Sequence, residues 1–423
     1  MAIVTMATTA ERTPAASAHA LREQFLLDPA IAFLNHGSFG ATPRPVFTAY
    51  QAWQRELERE PVLFGAGREQ TLLDAARAQL AHALNVDADD LSFVTNTTSG
   101  LNVIARSLPL ERDDEILTTT LEYGALDYTW AYLCGKAGAR YVRQDISIPF
   151  TSAEAVVDQL WNGVTERTRA IFLSHLTSST ATILPVRAIC ERARKAGILT
   201  IIDGAHAPGQ IPLDLQDLGA DIYAGNCHKW LCAPKGSAFL YVRPEQQDWV
   251  ESLTISWGWR PGHTFVSRNQ LQGTRDVAAY LAVPAALDFL RQHHWPLVRA
   301  RCHAMLRDLR RRLHERLGTE PISADDGTWY AQMAVITLPD GNHGDLHDRL
   351  YYGHQVQVPV TGHGDRAFVR VSVQGYTTED DLARLEAALL AELDAVVPGR
   401  RRYAPRAGGH QDVDQTRRGR GSR

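Results

Sequence analysis

Residues 198–210 read ILTIIDGAHAPGQ. A nearly unbroken apolar run, Ile198 to Ile202, ends on the carboxylate of Asp203, and Gly204, Ala205 and His206 come next. A short Ile-rich run bounded by turn residues has the pattern of a strand buried on both faces. The stretch before it opens with Pro185 and closes with Gly197, the expected punctuation of a helix. Helix followed by buried strand is half of a βαβ unit, and in sheets built from such units ligands sit beyond the carboxyl ends of the strands. Asp203 stands at such an end. Taken alone it is equally an Asp-Gly turn capping the next element.

The same arrangement recurs on either side. Strand-like runs are predicted at Leu91–Thr95, Glu115–Thr119, Arg140–Ile146, Ala170–His175, Ile198–Asp203, Ile222–Ala224 and Ser237–Val242. Leu72, Leu73, Ala76, Leu80, Ala83 and Leu84, ahead of the first run, recur at helical spacing. The fold class expected is α/β: a large domain around a mostly parallel seven-stranded sheet, with a smaller C-terminal α+β domain. The change of pattern comes near residue 295. Residues 297–317 form a basic amphipathic helix carrying Arg299, Arg301, Arg307, Arg310, Arg311 and Arg312, read as a solvated face. Strand-like segments at Ala331–Thr337 and Phe368–Val373 and a last helix from about Glu379 to Val396 complete it. The expected divisions are a frayed tail over 1–20, an N-terminal segment over 21–45, the large domain over 46–294, the small domain over 295–398, and a disordered Arg- and Gly-rich tail over 399–423.

Composition narrows the function. Of 423 residues, 44% are hydrophobic and 22% charged, close to the globular average, and the formal net charge of −4 gives no reason to expect a nucleic-acid partner. Cys134, Cys190, Cys227, Cys232 and Cys302 are odd in number, form no C-x-x-C pair and lack zinc-like spacing. They are expected to be free, buried thiols of a reducing compartment, with no metal. No basic flank leads into an apolar run at the N-terminus and no run of about 18 apolar residues occurs, so a cytoplasmic protein with no membrane partner is expected.

Three strand ends carry chemistry together. The first is Asp203. The second is Lys229 in IYAGNCHKWLCAPKG, residues 222–236, where Asn226, Cys227 and His228 follow a strand. A lysine held among apolar neighbours has a lowered pKa and attacks carbonyls. The third is LSFVTNTTSGLN, residues 91–102, where Asn96, Thr97, Thr98, Ser99 and Gly100 open a helix. Hydroxyls and free N–H groups at a helix N-terminus form a phosphate site. Each has a bland reading: surface lysine, turn aspartate, helix cap. Jointly they are the parts that pyridoxal 5′-phosphate (PLP) requires, namely an aldehyde-binding amine, a carboxylate for the pyridinium nitrogen and a phosphate cradle.

With those residues in view, the chain resembles the class V aminotransferase family of fold-type I PLP-dependent enzymes, in its isopenicillin N epimerase-like branch. The resemblance runs from about Ile31 to Val396 and rests on FVTNTTSGLN, DGAHAPG, NCHKWLCAPKG, LQGTRD and VRVSVQGYTTEDDL. It implies that Lys229 carries the cofactor as a Schiff base and moves protons, that Asp203 pairs with the ring nitrogen, and that His206 contacts the ring oxygen. It implies that Thr97, Thr98, Asn226 and His228 hold the phosphate, that Tyr123 stacks on the ring, and that Thr274 reaches the phosphate of a neighbouring subunit in a homodimer. Arg370 would bind the substrate's α-carboxylate. The segment FLNHGSFGATPRP, residues 33–45, would fold over the site and bring Asn35, His36 and Ser38 to the substrate.

Two departures from the desulfurase relatives stand out. Ser178 occupies the place of an Asn that supports the ring oxygen, and residues 351–368, YYGHQVQVPVTGHGDRAF, hold no cysteine. Persulfide-forming desulfurase activity is therefore not expected. Epimerisation through a Cα carbanion is favoured, with C–S elimination on a cysteine conjugate or transamination as alternatives. Tyr123 and His36 are the candidates for a second proton donor opposite Lys229. A nucleotide-binding α/β protein is disfavoured because no G-x-G-x-x-G or G-x-x-x-x-G-K-[ST] loop follows the first strands.

Overall fold

A computed structural model describes residues 17–394. The seven runs form one sheet from β2 (Leu91–Val94), β3 (Glu115–Thr119), β4 (Arg140–Gln144), β5 (Thr168–Ser174), β6 (Leu199–Asp203), β7 (Ile222–Asn226) and β8 (Ala238–Val242), in the order β2-β8-β7-β6-β5-β3-β4. Neighbours from β4 to β7 are parallel, while β8 is antiparallel to both β7 and β2. Every strand but β8 thus points the same way, and their carboxyl ends share one edge.

The central strands are largely apolar along their middle residues because both faces are covered. On β5, Ile171 and Leu173 join one core and Ala170 and Phe172 the other; on β6, Ile202 faces the first and Leu199 and Ile201 the second. Helices Gly124–Ala137 and Val186–Lys195 make two of the crossovers. Edge strand β4 is half-exposed and keeps Arg140 and Arg143 at the surface, which blunts pairing with another edge.

A second, antiparallel sheet holds β9 (Met333–Thr337), β11 (Val360–His363) and β12 (Arg366–Ser372), with β12 in the middle. The sequence reading missed a pair of two-residue strands, β1 (Ala32–Phe33) and β10 (Val356–Gln357), too short to show a period. They tie the N-terminal segment to the C-terminal part, and Ser372 N–H donates to the carbonyl of Leu34 at 2.9 Å.

The helix Trp295–Leu317 corrects one expectation. Its basic face is not merely solvated: Arg310 is 1% exposed and bonds Asp325 and the carbonyl of Ser323, and Arg312 and Arg316 pair with Glu386. These arginines dock loops and the helix Glu379–Asp394 onto it. Ser17 caps a helix Ala18–Arg22, so residues 17–20 of the stretch expected to fray are described. Residues 1–16 and the tail expected over 399–423 lie outside the described residues. Among the described residues no helix is long and apolar enough to cross a membrane and no cluster suits a metal. All five cysteines are free and buried.

Candidate active site

Five strand ends open into one cavity of about 480 Å³, within the usual range for a small-molecule site. From β2 come Thr95, Asn96, Thr97 and Thr98; beyond β3, Tyr123; from β5, Ser174, Leu176 and Ser178. From β6 come Asp203, Ala205 and His206, and from β7 Asn226, His228 and Lys229. Gly37, Ser38, Phe39 and Arg370 close it from the other side.

Asp203 is 4% exposed and accepts the N–H of Ala205 at 2.8 Å. Burial raises its pKa to about 6, against the pull of that N–H and of Lys229. Burial brings the Lys229 amine down to about 8, with Asp203 opposing and Arg370 adding to the fall. Lys229 Nζ lies 3.3 Å from His206 Nε2, and the indole N–H of fully buried Trp230 lies 3.4 Å from His206 Nδ1. An indole N–H only donates, so Nδ1 accepts. Burial, with the nearby cations Lys229 and Arg370, holds this ring well below its ordinary pKa. The neutral ring then carries its proton on Nε2, facing the lysine.

The cradle is the N-terminus of helix Thr97–Ser107, capped by Asn96, whose side chain accepts from Ser99 N–H at 2.7 Å. Thr97 Oγ1 is buried with no partner among the described residues, and Thr97 N–H donates to Asn226 Oδ1 at 3.0 Å. Asn226 thus fixes the helix end rather than standing free. His228 Nδ1 is 2.8 Å from the carbonyl of Ser237, which must be the acceptor, so the neutral ring leaves Nε2 unprotonated.

Arg370 on β12 is 4% exposed and, among the described residues, bonds only neutral oxygens. Nη1 donates to Ser178 O at 2.7 Å and Ser178 Oγ at 3.2 Å; Nη2 donates to Ser38 Oγ at 3.0 Å and Asn35 Oδ1 at 3.4 Å. Its Nε is buried without a partner. Burial lowers its pKa to about 10. A buried guanidinium without a carboxylate is costly unless an anion joins it.

These features suit PLP. Thr97 Oγ1 lacks a partner at a helix N-terminus, Asp203 is a buried carboxyl, Lys229 is an amine of lowered basicity, and Arg370 waits for an anion. Other predicted site residues sit differently. His36 does not reach the cavity: its ring is sealed by Tyr376 Oη at 2.9 Å and by the carbonyl of Lys229 at 3.0 Å. Asn35 acts through Arg370 and Ser38. Ser178 grips Arg370. Thr274 is exposed on the surface and does not line this cavity. Tyr123 is 46% exposed at the cavity's open side. Gly40 lets the N-terminal segment lie against the lysine loop. It has φ 72°, and a Cβ there would stand 2.1 Å from the carbonyl oxygen of His228.

Sequence reasoning passed over Glu122, Ser174 and Trp230. Glu122 is 7% exposed, and its pKa is raised to about 7 by burial, opposed by hydrogen bonds from Ser174 and Thr119. The available signal was an acid set between Leu121 and Tyr123 straight after a buried strand.

A family model described as aminotransferase class-V matches residues 43–385. The isopenicillin N epimerase of Amycolatopsis lactamdurans is 36% identical over 386 residues, 87% of this chain and 96% of its own length. That of Streptomyces clavuligerus is 33% identical over 384 residues, with the same coverage of both chains. Among solved structures, the cysteine desulfurase of Thermococcus onnurineus NA1 superposes with a TM-score of 0.77 at 18% identity, over 89% of this chain and 98% of that one, and so speaks for the fold. Matched over most of its length by that model and these relatives, the chain belongs to the class V aminotransferase family.

Proposed function

We propose that this PLP-dependent enzyme inverts configuration at the α-carbon of an amino acid or amino-acid conjugate, as an isopenicillin N epimerase-like protein. The observation that carries it is the meeting of Lys229, Asp203 and Arg370 in one cavity, in a chain more than 30% identical to two proteins bearing that name. PLP, when bound, supplies an electron sink for the charge left on the α-carbon.

The chain's own residues do the rest. Lys229 holds the cofactor and, as a free amine, exchanges the α-proton at Nζ on one face only, the opposite face being left to a second donor; an amine with a pKa near working pH suits that task. His206 Nε2–H faces the same nitrogen. Asp203 provides the fixed anion for the ring nitrogen. Thr97, Thr98, Asn226 and His228 hold the phosphate, for which His228 must gain a proton on Nε2. Arg370, steadied by Ser178, Ser38 and Asn35, takes the substrate carboxylate with its planar fork. Tyr123 faces the ring from the cavity's open side and is the candidate for proton delivery opposite Lys229.

A Cys-loop desulfurase is not the reading favoured, since residues 351–368 offer no thiol. Five free cysteines suit the cytoplasm. A homodimer would bring Thr274 to the second copy's phosphate. Supporting it, Leu253, Ile255 and Trp257 stand exposed on the loop ahead of Thr274, and Tyr128 and Tyr132 on the helix after Tyr123. Sedimentation checks it: a monomer at micromolar concentration would remove Thr274 from the site.

Incubation of the holoenzyme with a panel of amino acids in heavy water tests the chemistry. Deuterium at the α-carbon with inverted configuration is expected. Keto acid with released thiol and ammonia would instead assign C–S elimination, and keto acid with aminated cofactor would assign transamination.

A further inference from the structure

The stretch ILTIIDGAHAPGQ ends on Gln210, whose side chain the roles above leave unused. Gln210 is buried, and so are Gln332 and Gln374, which stand in line behind it. A neighbour settles the orientation of each amide in this line. Gly375 N–H donates to Gln374 at 2.8 Å, so the oxygen Oε1 stands there. Facing that oxygen at 3.0 Å and the carbonyl of Val373 at 3.1 Å, Gln332 must present its NH₂ group. The backbone N–H of Gln332 donates to Gln210 Oε1 at 3.2 Å. Gln210 Nε2 then donates to the carbonyl of His206 at 2.8 Å. Among the described residues, the His206 carbonyl and the Gln332 N–H find their hydrogen-bond partner in this one side chain.

The two ends of Gln210 belong to the two walls of the cavity. One end holds the loop after β6, where the His206 ring lies 3.3 Å from Lys229 Nζ. The other end holds the small sheet. Gln332 and Val373 extend the β9–β12 pair Met333–Ser372, with Val373 N–H donating to Gln332 O at 2.8 Å, and Arg370 stands on β12 itself. In the proposed reaction the substrate is held by its carboxylate at Arg370 and gives up its α-proton to Lys229. Carboxylate and α-carbon are joined by one bond, so the spacing between those two groups must be kept, and a displacement of about 1 Å costs roughly 10²-fold in rate. Pulling the walls apart at Gln210 would leave a buried backbone acceptor and a buried backbone donor unpaired, which resists the motion.

We infer that Gln210 is a positioning residue: it braces the His206–Lys229 pair against the strand of Arg370 and so sets the spacing between the proton-transfer site and the seat of the substrate carboxylate. The inference rests on the roles proposed for Lys229 and Arg370, but the hold of Gln210 on His206 can be read without cofactor.

Gln210→Met keeps the length of the side chain and loses both hydrogen bonds. In the full-length holoenzyme, exchange of the substrate α-proton with heavy water at saturating amino acid should slow about 10–100-fold. The calorimetric dissociation constant of propionate, which calls on Arg370 alone, should stay within about threefold. Thr200→Val is the comparison for plain loss of stability, since it removes a buried hydroxyl that donates to Asp221 at 2.8 Å at the other end of β6. It should lower Tm and leave the exchange rate unchanged. Equal slowing in the two variants, or propionate binding weakened as much as exchange, would overturn the inference. Should Gln210→Met fail to fold, Gln210→Glu retains the acceptor for Gln332 N–H and, as a carboxylate, offers no donor to His206. The same slowing is expected, and wild-type exchange would refute the brace. In cofactor-free protein, the nitrogen-15 resonances of the His206 ring, identified by their absence from His206→Asn, should shift in Gln210→Met and stay in place in Thr200→Val. Unshifted resonances would remove the link between Gln210 and His206. Shifted resonances in protein that never captures PLP would sink the proposed function and leave that link standing.

Discussion

The two walls of the cavity are built by different means. On the large-sheet wall, each strand end brings much of its own support: Asp203 is held by Ala205, and His228 by Ser237. On the opposite wall Arg370 has no local support among the described residues. Its partners are Ser178, 192 residues away, and Asn35 and Ser38, more than 330 residues away. One wall is preset by short segments; the other exists only once the N-terminal segment has been threaded between the two sheets. On the proposed roles, the wall given the proton chemistry is the locally determined one, and the wall given the substrate carboxylate depends on long-range packing.

Several measurements sharpen that contrast. The largest effect falls on the preset wall. Lys229→Ala should lower kcat by roughly 10³–10⁴-fold, the scale of a lost acid-base group, with Tm little changed. Arg370→Lys should act mainly on KM, raising it about 10–100-fold, because an ammonium cannot reproduce the fork. An equal fall in kcat with KM unchanged would move Arg370 from substrate binding to chemistry. Gly40→Ala probes the seam between the walls. It should destabilise the protein by about 1–3 kcal/mol, from strain at positive φ and from the clash with His228 O, and a wild-type Tm would break the argument. Trp230→Phe should be mildest, reducing kcat about 2–10-fold through loss of one hydrogen bond to His206 and moving the pH profile while KM holds.

The preset wall should also show itself in cofactor-free protein. Asp203 and Glu122 have pKa values raised from 3.8 to about 6 and from 4.5 to about 7. Between those limits the folded chain binds more protons than the unfolded one, so their contribution to stability falls as pH rises from about 4 to about 7. Lys229, lowered from 10.5 to about 8, gives the opposite slope above pH 8. Denaturant midpoints for Glu122→Gln should lose part of the first slope; an unchanged slope would mean that Glu122 does not titrate there.

Much of the large-sheet wall was legible in advance. Leu91–Val94 and Leu199–Asp203 are mostly apolar runs that end in polar residues, the composition that a strand covered on both faces favours. The seventh run, Ala238–Val242, reads the same way, yet its antiparallel direction is invisible in composition. Arg310 was misread because a helical wheel counts charges and does not know that Asp325 will fold onto one of them.

The sequence by itself determined which residues could do chemistry and that Asp203, Lys229 and the Thr97 helix would stand at strand ends, because strand period, burial and turn residues are local properties. Only the tertiary structure decided that His36 would be walled off, that Ser178 would hold Arg370, and that Glu122 would be buried against Ser174. Those outcomes depend on contacts between residues far apart in the chain, and on burial that no short segment can impose on itself.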